Sequence, residues 1–579
     1  MGLPAHSRLR SEASYWVKSI TGTRNPVAES VRRLVGEIAR LIETAPPVSP
    51  AARPQRIAVM SGHGLNDIHL SCDALWLMAL RQRGHHAMGI ICDRGVPSCE
   101  FNFRGDGSKT PSRMSSALTP LANSLACRDC CNNALSALAA TGAPIHKLSG
   151  FSVPGDLQDA LAIAQRVPAG EIRSFKYNGV PVGDHAFSST LRCTLRGVID
   201  LDDESELWIY RRHLASSILL TDRLNRLIDR ERPDKMMGVH GVYVMHGTMA
   251  DVCKSRGIPA VIYGTPYRKG TVWLSHQETY HRSLVDEPTT HWDQDRLDDG
   301  RRQIIIDYLR SREVGGRDNI NYHPNPVLDR QRIVDIVGLD LNKPIVTMFT
   351  NVVWDAQIYY PSNAFDNLFD WVFSTIDYFH RKPELQLVIR IHPAETKGGF
   401  TTRQPLFDEI MGRYPKLPPN VYVVRPESDV GSYTLAEMSK ACLIFGTKMG
   451  LEIAYRGIPV IAAGESLNRG KGYTHDANTR QDYFALLDRL MDLPRNPPET
   501  RERALRFAYY LFFQKMIDMP LLGPNLWTPA RPGGEPFYRF STTAELLPGR
   551  CPELDLICDG ILTGSPFSRD IPTTATESR

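Results

Sequence analysis

The chain has 579 residues, more than one hydrophobic core organises, so at least two domains are expected. Hydrophobic residues make up 42% and charged residues 23%, which excludes a chain disordered throughout. The 68 basic residues nearly balance 64 acidic ones, for a net charge of +4, and no run of like charges points to nucleic acid.

The first element is read in residues 1–54, a helical extension and linker. "ESVRRLVGEIARLI" (29–42) places Val31, Leu34, Val35, Ile38, Leu41 and Ile42 on one helical face. Two readings stand: a helix packed on the body, or one lying on the inner face of the cytoplasmic membrane. "TAPPVSPAARP" ends it. No apolar run reaches the roughly 18–20 residues of a membrane span. The N-terminal "MGLPAHSRLRSEASYW" lacks the apolar segment of a secretory leader, so a cytoplasmic protein is expected.

Residues 55–295 alternate strands and helices. "RIAVM" (56–60) reads as a buried strand, "SGHGLND" (61–67) as a glycine-bearing turn, and 68–83 as a helix. "HAMGIIC" (86–92), "DKMMGVHG" (234–241) and "IPAVIYG" (258–264) follow as strands, with a helix near 245–256. This alternation predicts a doubly wound parallel sheet. Residues 296–520 repeat the pattern with "KPIVTMF" (343–349), "LQLVIRI" (385–391), "VYVV" (421–424), "CLIFG" (442–446) and "IPVIAAG" (458–464). Helices are read at 363–381 and 433–440. An Arg-Gly-Ile-Pro stretch before a strand occurs twice, at Arg256 and Arg456. In each, glycine can end a helix and proline begin a strand. The fold class is therefore α/β, two Rossmann-like domains facing a cleft, with an N-terminal helix and a C-terminal extension at 521–579. "GPNLWTPARPGGEP" there reads as loop, and "RDIPTTATESR" as a disordered tail.

Two stretches of the second half carry chemistry. "VIRIHPAE" (388–395) is a strand that Pro393 stops, so that His392 projects from its carboxyl end, where this architecture places ligands. "FGTKMGLE" (445–452) is a strand, a small-residue turn and a helix start. Its N–H groups and Lys448 suit an anion, and Glu452 suits a sugar hydroxyl.

Together these motifs resemble the GT-B glycosyltransferases of bacterial capsule and surface-polysaccharide biosynthesis, including Kdo- and sialic-acid-type transferases that use CMP-sugars. "GVHGVYVMHGTMADVCKSRGIPAVIYGTPYRKGTVWLSHQETYH" (238–281) and "GDHAFSSTLRC" (183–193) resemble the acceptor side of such proteins. The resemblance implies a nucleotide-sugar donor, its phosphate held by His392 and by Thr447 with Gly450 and its nucleotide by Glu452, and a saccharide or lipid-linked acceptor; Arg390, Gly446 and Lys448 are further candidates for the donor site. Gly446-Thr447 stands where a serine pair is common. His63, Asp67 and His240 are candidates for the base on the acceptor side, beside His392 as a catalytic group; Asp67 could equally cap a helix.

No cofactor is expected for catalysis: "DLD" (200–202) and "DQD" (293–295) follow no buried strand. The 11 cysteines, in a long chain without a leader, read as thiols or metal ligands. Cys127 and Cys130 have zinc spacing, and with Cys92 and Cys99 could hold a structural zinc; the alternative is small buried side chains. Two rival functions remain: a nucleotide-sugar epimerase on the same fold, and a non-catalytic scaffold of an envelope assembly complex.

Overall fold

The computed structural model describes residues 26–61, 63–101, 113–294, 296–321, 325–355, 363–397, 401–523 and 535–569, without side-chain detail at 26, 113–125 and 280. Most of "GPNLWTPARPGGEP", the tail from 570 on, Asp295 of "DQD" and the N-terminal stretch before 26 lie outside them.

The first sheet is built from β1 (Arg56–Ser61), β2 (His86–Ile91), β3 (Ile145–Lys147), β4 (Lys235–Val239), β5 (Ala260–Gly264) and β6 (Thr271–His276). The second is built from β7 (Ile345–Phe349), β8 (Gln386–Arg390), β9 (Val421–Val424), β10 (Ala441–Ile444), β11 (Val460–Ala462) and β12 (His475–Asp476). Their orders are β6-β5-β4-β1-β2-β3 and β12-β11-β10-β7-β8-β9. Counted within each half, both sheets run 3-2-1-4-5-6, the doubly wound dinucleotide-binding order. The second sheet is parallel throughout. Its strands β7 and β8 are buried along their whole length, because helices cover both faces. Two Rossmann-like domains, as expected, are therefore present.

Several elements depart from the sequence reading. β6 runs antiparallel to β5, so the first sheet is mixed at one edge. β13 (Ile517–Asp518) returns from the far end of the chain and pairs antiparallel with β6. The helix Pro552–Thr563 follows, and its Leu554, Ile557 and Ile561 share a core with Leu34, Ile38 and Trp76. The described part of 521–579 is thus an integral piece of the first domain. The helix Pro26–Glu43 joins the same core: Val31, Leu34, Ile38 and Leu41 are buried, and Glu37 accepts the N–H groups of Phe537 and Tyr538. That settles its two readings in favour of packing on the body, because the face that would enter a membrane is already covered. No helix among the described residues is long and apolar enough to cross a membrane. Gly257 and Gly457 both have positive φ (65° and 87°), which explains the repeated Gly-Ile-Pro as two helix-to-strand turns of one kind.

Candidate functional site

In a doubly wound sheet, ligands bind at the carboxyl ends of the strands where the order reverses. In the first domain those strands are β1 and β4, followed by His63 and His240. In the second they are β7 and β10, followed by the segment to Asp355 and by Gly446–Lys448. The two ends meet. Tyr243 Oη donates to Asp355 Oδ1 at 2.7 Å. The Arg192 guanidinium lies 4.5 Å from the centre of the Trp354 ring, and Lys448 Nζ lies 3.9 Å from the centre of the Tyr267 ring. Each contact joins one domain to the other.

On the first-domain side, His240 has φ 62°, in the left-handed region that non-glycine residues rarely occupy. Strain of this kind persists only where the surrounding structure holds it, and it concentrates at functional sites. Its N–H donates to Tyr263 O at 2.9 Å, and its ring stands 5.3 Å from that of His69. Burial, and next the nearby His281, bring His240 down to about 4. His281 is also brought to about 4 by burial, which Asp355 only partly opposes. Both imidazoles are therefore neutral at physiological pH. The protein packed around Asp355 disfavours its charge, but Arg192, then the Tyr243 hydroxyl, then the two histidines, hold it below the usual carboxylate range. Burial and Asp355 together push Tyr243 well above its ordinary value, so it remains a donor.

His63 sits beside this group rather than within it. Its Nε2 is 2.9 Å from Glu100 Oε1, both side chains are buried, and Phe101 packs at 4.0 Å between ring centres. Burial alone would raise Glu100, but the charge and hydrogen bond of His63 bring it to about 2. Asp67 is not in the site. Asn66 caps the helix Asp67–Gln82 by accepting from Ile68 and His69, while Asp67 opens that helix and accepts from Ser30 of the N-terminal helix.

On the second-domain side, Gly446 N–H donates to Asn351 Oδ1 at 3.3 Å, tying the turn after β10 to the segment after β7. Thr447 Oγ1 accepts from Met449 N–H at 3.3 Å, and Asn468 donates to Thr447 O at 2.8 Å. Gly450 is packed so closely that a Cβ would lie 2.7 Å from both Asn468 and Ile444. The helix Met449–Tyr455 has only seven residues, so Lys448 rather than a helix dipole supplies most of the positive charge. Lys448 makes no hydrogen bond or ion pair among the described residues. Burial, then Arg312, lower its ammonium to about 8. His392, at the end of β8, donates its backbone N–H to Thr350 Oγ1 at 3.0 Å. Its Nδ1 accepts the Ala394 N–H at 3.1 Å, which puts the ring proton on Nε2.

Two donor-side expectations are corrected. Glu452 does not face the site as a hydroxyl acceptor: it is buried, its Oε1 takes Arg312 Nε at 3.1 Å and its Oε2 takes the Tyr433 hydroxyl. A carboxylate buried so deeply requires such partners. Arg390 is buried as well, and donates to the carbonyls of Arg425 (2.6 Å) and Ser428 (3.0 Å), so it holds a loop rather than a ligand.

Arg192, Tyr243 and Asp355 were not singled out for this site by sequence. Tyr243 lies three residues beyond His240, and Asp355 six residues beyond the end of β7. Cys92, Cys99, Cys127 and Cys130 do converge: all four line one cavity with His63 and Met245. Yet no three His, Cys, Asp or Glu residues among the described ones are grouped so that they could hold a metal ion. Burial keeps these thiols protonated, with Cys92 pushed up to about 11 and Cys130 to about 12.

No family model matches the sequence, and no curated protein matches it. Among solved structures, the beta Kdo 2,4 transferase KpsC of Thermosulfurimonas dismutans is similar at 13% identity and a TM-score of 0.31, over 54% of this chain and 86% of that one. A UDP-GlcNAc 2-epimerase from Neisseria meningitidis gives 9% and 0.24, over 78% and 95%. The glycosyltransferase SnogD from Streptomyces nogalater gives 14% and 0.23, over 79% and 95%. Scores and identities this low establish neither a common ancestor nor a common activity.

Proposed function

We propose that the protein is a glycosyltransferase that moves a sugar from a nucleotide-sugar donor to a saccharide or lipid-linked acceptor, in the assembly of capsule or related surface polysaccharide. Lys448 is the observation that carries this reading. An ammonium beyond the carboxyl end of β10, seated on the Tyr267 ring and making no ion pair among the described residues, is a place for an anion. When the bond between sugar and nucleotide breaks, negative charge grows on the leaving phosphate. Lys448 and the Nε2 proton of His392 are the groups that would stabilise it, preorganised in a site of low dielectric. The first-domain face, with His240 and His281, would receive the acceptor. The reaction is written without a catalytic metal.

The test is a thermal-shift screen across CMP-, UDP- and GDP-sugars, in which a ligand at a hundred times its dissociation constant stabilises by about 2.7 kcal/mol. The Lys448→Met variant is expected to bind the selected nucleotide at least about tenfold more weakly, as loss of a charged contact implies. Wild-type affinity should also decline as pH rises through about 8, where Lys448 loses its proton, and the variant should lack that limb. A folded protein that binds no nucleotide, or equal binding by the variant, defeats the reading; sugar isomerisation without an acceptor points instead to an epimerase. We also propose that Cys92, Cys99, Cys127 and Cys130 hold a structural zinc, which would draw the four thiols together. Total-metal analysis checks it: one zinc per chain is expected, and a metal-free, stable protein rejects it.

A further inference from the structure

We propose that His185 is a positioning residue of the first-domain face: held as an imidazolium, it clamps the turn 240–244 in the conformation that turns His240 and Tyr243 toward the second domain. The proposal rests on the glycosyl-transfer reading, in which that face receives the acceptor. It gives a role to the stretch "GDHAFSSTLRC" (183–193).

The turn is held from outside. His240 and Gly241 have φ 62° and 67°, and Tyr243, which precedes the helix Val244–Ser255, makes no side-chain bond to cap it. The hold comes from the helix Val182–Thr194, where His185, Ser189 and Arg192 follow at i, i+4 and i+7 on one face. His185 Nδ1 lies 3.0 Å from Val242 O, and its Nε2 lies 2.7 Å from Asp251 Oδ2. Ser189 Oγ accepts the Val244 N–H at 2.8 Å, one of the amides that a helix start leaves without an internal partner. Arg192 continues the stripe to the Trp354 ring of the second domain. The fit leaves no slack: His185 and Ser189 are buried, and a Cβ on Gly247 would lie 2.3 Å from His185 Nδ1 and 2.8 Å from Val242 O.

A carbonyl and a carboxylate only accept, so both ring nitrogens donate and the ring is charged. Burial alone would favour the neutral ring, but the bond and charge of Asp251, then the Val242 carbonyl, hold His185 above its ordinary value. The groups around it are Asp251 on the helix Val244–Ser255, Asp184 on its own helix and, about Asp184, Arg173 at 3.7 Å and Tyr210 of the helix Glu204–Glu231. Once the ring loses its proton it can serve only one of its two acceptors, and the turn or its anchor on Asp251 is let go.

Nucleotide release from CMP-, UDP- and GDP-sugars, with water in place of the acceptor, is followed for wild type, His185→Gln, Ser189→Ala and Asp251→Asn, beside nucleotide affinity, thermal midpoint and amide exchange. His185→Gln and Ser189→Ala should release nucleotide at least about tenfold more slowly, since misplacement by about 1 Å can cost about 10²-fold, with affinity within about threefold of wild type. Amide exchange should quicken at 240–247 and stay unchanged at 445–452. Asp251→Asn separates charge from packing: its amide can donate to Nε2, so a neutral ring keeps both bonds. The ratio of wild-type to Asp251→Asn release should therefore fall as pH rises through the raised value of His185, above about 6.5, because only wild type loses a bond there. The Lys448 limb is common to both and cancels. If His185→Gln does not fold, Ser189→Ala and the pH series of Asp251→Asn carry the test. Full release by folded His185→Gln or Ser189→Ala, or a ratio that does not move with pH, overturns the clamp while the donor site stands. A wild type that neither binds nor cleaves any of the three donors overturns the transferase reading, and this proposal with it.

Discussion

His246 and Glu395, buried in different domains, show how burial gives a base and an acid opposite pH behaviour. His246 is buried with its Nε2 3.2 Å from Met60 O, and burial, then His63, bring it down to about 3. Its stabilising contribution is present above the unfolded value near 6.5 and is lost as pH falls toward 3. Glu395 is buried too. Its Oε2 accepts the Leu406 N–H at 3.2 Å while Oε1 has no hydrogen-bond partner among the described residues, and burial raises it to about 7. Its contribution is present below the unfolded value near 4.3 and is lost as pH rises through 7. Thermal midpoints of wild type, His246→Gln and Glu395→Gln between pH 4.5 and 7.5 check both. The wild-type advantage over His246→Gln should shrink toward acid, and that over Glu395→Gln should shrink toward neutrality. Differences that do not move with pH would show that neither group titrates as its surroundings dictate. At this scale the sequence placed His240, Lys448 and His392 just beyond strand ends, and the structure has them there. The sequence misjudged Glu452 and Arg390, because the partners that occupy them, Arg312 and the carbonyls of 425 and 428, are distant in sequence or not side chains at all.

Elements meet where side chains are smallest. Gly197 follows the helix Val182–Thr194, which supplies Arg192, and its N–H donates to Gln404 Oε1 of the second domain at 3.1 Å. A Cβ at this position would lie 2.7 Å from the Phe369 ring and 2.8 Å from Val353, two residues before Asp355. Gly197→Val must therefore push the β7 segment away from Tyr243. Misplacement by about 1 Å commonly costs about 10²-fold in rate. Nucleotide release should fall by at least about tenfold, while affinity at Lys448, on the far strand of the reversal, changes little. Unaltered turnover would show that the two domains do not need this close approach. Strands and their short helices were legible because each is a local apolar run bounded by turn residues. The 28-residue helix Glu204–Glu231 and the antiparallel β6 were not, since both are fixed by what they pack on.

The molecule as a whole is closed by its own end. Phe537, Tyr538, Leu554, Ile557 and Ile561 are buried in the first-domain core beside Trp76. Removing a large buried apolar side chain costs about 2–5 kcal/mol, and a domain has only about 5–15 kcal/mol to lose. A chain ending at Pro520 should therefore be insoluble, or melt more than about 10 °C lower; one that purifies folded with an unchanged midpoint would show the segment to be dispensable.

By itself the sequence determined the class: short apolar strands alternating with helices, twice over, with a histidine and a lysine at strand ends. Those features are local, governed by periodicity and turn chemistry. Only the tertiary structure decided which strands lie at the reversal of each sheet, and hence that Asp355 faces Tyr243 and Lys448 faces Tyr267. These partners are separated by 112 and 181 residues respectively. Such pairings depend on strand order and on domain contact, which no local pattern encodes.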